Sequence, residues 1–167
     1  MKPSTRSAMK AAVDATAEVL LLDLQIATAD RLVPPRTLFE VAARAALSGH
    51  RQRAELTIRV VGRPESRRLN KHYRHVDKAT NVLSFPAGDT MGVVPHFLGD
   101  IAICAVLVHA EARAQGKSVE AHWAHLVVHG ILHLLDYDHT EDAAAKTMED
   151  LERTILARLG WPDPYDA

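Results

Sequence analysis

His129, His133 and His139 give this chain the residue types and the spacing of a metal site. His129 and His133 are four apart, so on a helix their imidazoles leave one face a turn apart, with about 6 Å between Cβ atoms. That separation suits two neighbouring ligands of a single ion. His139 lies past the expected helix end at Asp136, and the chain must turn there to bring a third imidazole back. The turn calls for an unusual backbone angle at 136, which Asp tolerates better than most residues that carry a side chain. Three neutral imidazoles with a fourth position open describe a catalytic zinc (Zn2+) site rather than a closed structural one. The same donors also suit nickel, copper and cobalt.

The helix that must present these ligands is expected over Ser118 to Leu135. Ser118 is a good N-cap, and Glu120 suits the positive end of the helix. Trp123, Leu126, Val127, Ile131 and Leu134 make one apolar face, and Val128, Leu132 and Leu135 cover most of another. A helix apolar nearly all round is buried, so its polar groups need partners. His122, His125 and His129 would span about 10 Å at ~1.5 Å per residue, too far for one ion. His125 is therefore assigned to support, and His122 to the surface.

His-x3-His-x5-His matches the ligand spacing of the metzincin zinc proteases. In those enzymes a Glu follows the first histidine and acts as general base. Here that position is Gly130, which leaves room for close packing or substrate and does no proton chemistry. A substrate with a better electrophile or leaving group, such as a phosphodiester, is open to hydrolysis with positioned cations in place of that base. Arg67, Lys71, Arg74 and Lys78 recur at intervals of four, three and four, all within about 40° of Arg67 on one helical face, either as a set of positioned cations or as the ordinary solvated face of an amphipathic helix. Leu69, Tyr73 and Val76 lie opposite. Asp138, beside a ligand, is placed to orient a histidine N–H. Asp100 is expected to cap or hydrogen-bond at a strand end, and Met148, with Leu151 and Ile155, to pack in the core.

The chain has 167 residues, 47% of them hydrophobic and 25% charged, which fits one domain with an ordinary core. Ten Lys/Arg against three acids between Arg44 and Lys78 give that segment +7, whereas nine acids against three bases from Asp136 onward give −6. An anion-binding face is one outcome of such asymmetry, and a solvated surface is the other. The single cysteine, Cys104, forms no internal disulfide. Neither an export signal nor a stretch of ~20 apolar residues is present, so a cytoplasmic protein with no membrane partner is expected.

Residues 1–17 lack apolar periodicity and read as a mobile or weakly helical extension. Residues 18–167 then form a single domain. Strands are expected at Glu18–Ala27, Glu55–Val61, Thr80–Phe85 and Leu98–Cys104, with a surface loop at 87–97. Helices are expected from Pro34-Pro35 to Leu47, for about ten residues after Gly62, and at about 105–115, 118–135 and 141–159. The class is α+β (α/β-like), a small mixed four-stranded sheet packed with five or six helices.

HGILHLLDYDH, His129 to His139, resembles the signature of the YbeY endoribonuclease family. Leu69 to Pro86 (LNKHYRHVDKATNVLSFP) and LGDIAIC (Leu98 to Cys104) are similar to that family's other two blocks, in the same order, and VLLLDLQIA to its first strand. The resemblance covers about residues 19–160. It implies a bacterial, metal-dependent endoribonuclease specific for single-stranded RNA. Such an enzyme would mature the 3′ end of 16S rRNA and act in ribosome quality control, with the small ribosomal subunit and assembly factors as partners and no DNA. It places the zinc ligands at His129, His133 and His139, and a functional arginine at Arg74, where a guanidinium would clamp phosphate or stabilise charge developing on it. The chain departs from the signature at Asp136, which stands where the family has Gly.

Overall fold

The computed structural model describes residues 19–30, 32–88 and 96–166. The expected extension at 1–17 and most of the expected loop at 87–97 lie outside the described residues. The elements are β1 (Val19–Ala27), α1 (Arg36–Leu47), β2 (Arg53–Val61), α2 (Arg63–Arg74), β3 (Val82–Pro86), β4 (Phe97–Cys104), α3 (Ala105–Gln115), α4 (Val119–Leu134) and α5 (Asp142–Arg158). The four strands form one sheet in the order β1-β2-β4-β3. β1, β2 and β4 run parallel, and β3 closes one edge antiparallel to β4. This is the expected α+β domain with a mixed sheet. Its third strand starts two residues late and takes in Pro86, an edge position where a missing N–H is tolerated.

Local chemistry accounts for the boundaries. Pro35 caps α1 in an extended conformation, and Pro64 occupies the first turn of α2, where its absent N–H costs nothing. The centre of β2 (Leu56, Ile58, Val60) is fully buried, as expected of a strand with a parallel neighbour on each side. Gly99 in β4 has φ 140°, and a Cβ there would overlap the carbonyl oxygen of Phe85. Only glycine lets β3 lie this close to β4, and β3 carries one wall of the site described below.

Buried α4 packs against α1, α3, α5, β3 and β4, with Trp123 edge-on to Phe39 of α1 at 5.6 Å. Gly130 marks the close approach of α4 to the sheet. A Cβ there would stand 3.1 Å from Ile101 and 3.4 Å from Ser84 Oγ, and the Ser84 hydroxyl donates to the Gly130 carbonyl at 3.0 Å. The glycine serves packing rather than opening space for substrate. Met148 and Ile155 are buried in the core, as expected. Among the described residues no helix is long and apolar enough to cross a membrane.

Candidate metal centre

His129 and His133 leave α4 on one face, and their Nε2 atoms stand 3.1 Å apart. His139 returns to them from beyond the helix. Its ring centroid is 5.6 Å from that of His129 and 5.0 Å from that of His133. The return is made where the spacing required it: Asp136 adopts φ 71°, its N–H donating to the His133 carbonyl at 3.0 Å. Replacing Asp136 with glycine removes the left-handed strain and should stabilise the fold by about 1 kcal/mol. A thermal melt should then rise by roughly 2–4 °C, and a lowered melting temperature would contradict this account.

The donor set fits a divalent transition metal. One nitrogen from each of the three rings lies within 4.8 Å of the others. Tetrahedral neighbours bound at ~2.0–2.1 Å would be about 3.3 Å apart, close to the 3.1 Å observed for the first pair. Protonation agrees. Burial, followed by the neighbouring imidazoles of His129 and His139, pushes the pKa of His133 down, which leaves it neutral and able to donate a lone pair.

The partner that orients His129 is Glu152, a fully buried carboxylate on α5 that sequence reasoning passed over. Its Oε1 accepts from Nδ1 of His129 at 2.7 Å. Its Oε2 accepts from Nε2 of His125 at 2.7 Å and from the hydroxyl of Tyr165. Burial alone would raise the pKa of Glu152, but these three donors hold it at about 2. A charged acceptor obliges Nδ1 of His129 to carry its hydrogen, which leaves Nε2 as the lone-pair atom facing the metal position. His125, His129 and Glu152 also converge, but at hydrogen-bond distances and through the other nitrogen of His129. A signal was present in the sequence: Glu152 falls in register with Met148 and Ile155 on the apolar face of α5, where a carboxylate requires partners.

His125 has the supporting role expected of it. His122 does not lie at the surface. It is 4% exposed, and its Nε2 meets Oε1 of Glu111 at 3.0 Å because α3 covers that face of α4. Among the described residues Asp138 orients no imidazole. Its Oδ1 accepts the backbone N–H of His139 at 2.6 Å and of Thr140 at 3.2 Å, which shapes the loop instead. Asp100 lies inside β4, opposite Thr57 and Phe85, not at a strand end.

The basic stripe divides. α2 ends at Arg74, and His75 turns the chain with φ 61°, so Lys78 lies beyond the helix. Arg67 pairs with both carboxylate oxygens of Asp77 at 2.6 and 3.1 Å, and Lys71 approaches the same group at 3.9 Å. Only Arg74 of the four enters the histidine cleft, a space of about 390 Å³ that it lines with Asn81, Ser84, His129, His133 and His139. Its Nη2 donates to the Ser84 carbonyl at 2.9 Å, and its guanidinium lies 5.7 Å from the Phe85 ring centre. Side-chain hydrogen bonds from buried Asn70 and Ser66 to the carbonyls of Lys78 and Thr80 tie α2 to the segment leading into β3, and so fix Arg74 relative to the cleft.

Comparison with known proteins places the chain in a family. A family model described as Endoribonuclease YbeY matches residues 34–160. A protein named Endoribonuclease YbeY from Pseudomonas entomophila (strain L48) is 54% identical over 149 residues, covering 88% of this chain and 94% of that protein. One of the same name from Pseudomonas syringae pv. tomato is 51% identical over 149 residues, covering 88% and 89%. The solution structure of TM1509 from Thermotoga maritima shares the fold at a TM-score of 0.52 and 22% identity, covering 88% of this chain and all of that one.

Proposed function

The chain belongs to the Endoribonuclease YbeY family, and from that premise we propose that it is a zinc-dependent endoribonuclease acting on single-stranded RNA. The observation that carries the reading is the shared cleft, in which one anchored guanidinium faces three imidazoles whose nitrogens converge. His129, His133 and His139 would hold the ion, which when bound supplies Lewis-acid polarisation of phosphoryl oxygen and water. Arg74 binds and orients. With one Nη committed to the Ser84 carbonyl, its remaining N–H groups are available to a phosphodiester oxygen and to the charge that grows there as the bond breaks. Gly130 provides no proton acceptor, so a peptidase reading has no base to work with.

The zinc itself, maturation of the 16S rRNA 3′ end, ribosome quality control, contact with the small subunit and assembly factors, and action in the cytoplasm are part of this proposal. They rest on the resemblance of the three sequence blocks. The test is cleavage of a single-stranded oligoribonucleotide and of a matched duplex by the zinc-loaded protein and its Arg74→Ala variant. Cleavage of the single strand alone is expected, with kcat about a hundredfold lower in the variant. Equal rates for the two proteins would remove Arg74 from the mechanism, and digestion of casein without RNA cleavage would replace the reading.

A further inference from the structure

Beside the histidine cleft, at the last turn of α2, is an aromatic and cationic surface that the chemistry above does not use. Tyr73 is 52% exposed, although burying a ring of its size would be favourable. It is held in place while open to solvent. The Phe85 ring supports it at 4.9 Å between centres and 60°, and the His72 ring stands perpendicular to it at 4.6 Å. Arg68, Lys71, His72, Tyr73 and His75 border a shallow depression of about 800 Å³. Lys71 meets a carboxylate only at 3.9 Å, and Arg68 and Lys71 give the depression positive charge.

This surface is joined to the cleft through the chain itself. Tyr73 precedes Arg74, which lines the cleft, and Phe85 lies between Ser84 and Pro86, which line it as well. Single-stranded nucleic acid exposes its bases. Proteins that hold it pair aromatic rings, on which bases stack, with cations that follow the phosphates. With Phe85 against its edge and Arg68 and Lys71 lining the same depression, this open ring fits an unstacked base and its backbone better than it fits an apolar peptide, which would gain nothing from the two cations.

We propose that Tyr73, supported by Phe85 and flanked by His72, is a stacking platform for a nucleobase next to the phosphate bound at Arg74, with Arg68 and Lys71 on the neighbouring phosphates. The inference rests on the endoribonuclease reading and deepens it by naming how single strands are recognised. A duplex keeps its bases stacked on one another and has none to offer the platform.

The test uses the full-length, zinc-loaded protein and a short single-stranded oligoribonucleotide carrying one 2-aminopurine, mixed rapidly and observed in the binding phase before cleavage. Stacking on the wild type should quench the fluorescence. Tyr73→Phe, which keeps the ring, should quench and bind within about twofold of wild type. Tyr73→Ala should lose the quench and bind about tenfold more weakly. An oligomer of abasic residues with the same phosphates should bind all three proteins alike. Equal quench and affinity for wild type and Tyr73→Ala would overturn the platform while leaving the nuclease reading intact. Failure of the wild type to bind or cleave RNA would overturn both.

Discussion

Alanine at position 133 is expected to release the metal and lower RNA cleavage by at least about a thousandfold, while the domain stays folded. His133 is half-buried at the cleft, and the packing of α4 is carried by Trp123, Val127, Val128, Ile131 and Leu132, all of them fully buried. The imidazole can therefore be removed without opening the core. Two histidines remain, too few to hold an ion firmly at a site that uses three. Metal analysis should find about one equivalent of zinc in the wild type and a small fraction of that in the variant. Circular dichroism and the melting temperature of the metal-free forms should be nearly the same. Unfolding of His133→Ala, or of His139→Ala at the exposed third position, would mean that the ion is a structural clamp. In that case a non-enzymatic assembly factor would be the better description.

Glu152→Gln should be costly in two separate ways. The carboxylate accepts from three donors, and an amide presents NH2 where one oxygen was. At least one of His125, His129 and Tyr165 then faces a donor around a side chain that is fully buried. Losing one partner of a buried charged network typically costs about 3–5 kcal/mol, and a drop of that order in urea unfolding is expected. The second effect falls on the metal. Without a charged acceptor at Nδ1, His129 is free to take the other tautomer, and zinc affinity measured by chelator competition should fall about 10–100-fold. A variant that unfolds more easily but binds zinc as tightly as wild type would show that Glu152 only supports the core.

Much of this was legible in the residues, because local rules fix local structure. The spacing of His129 and His133 sets their common face, and the need to bring His139 back sets a left-handed residue, found at Asp136. Proline and glycine placed helix ends to within a residue or two. What could not be read was whatever depends on contacts between distant segments. His122 looks like a surface residue until α3 is known to cover it with Glu111. The basic stripe on α2 looks uniform until Asp77 folds back onto Arg67. Glu152 lies 23 residues from His129, a pairing that no periodicity encodes. Strand order was equally out of reach, since it is set by which faces the helices can cover.

The arrangement of Glu152 and Tyr165 also gives the protein a direction in time. Synthesis runs from the amino end, so the histidines of α4 emerge first, their carboxylate follows on α5, and the hydroxyl that completes that carboxylate comes from Tyr165. A nascent chain stopped anywhere before α5 carries His129 without the acceptor that selects its tautomer. For a protein whose proposed target is ribosomal RNA, this order matters: the proposed centre is incomplete until α5 and Tyr165 have both been made.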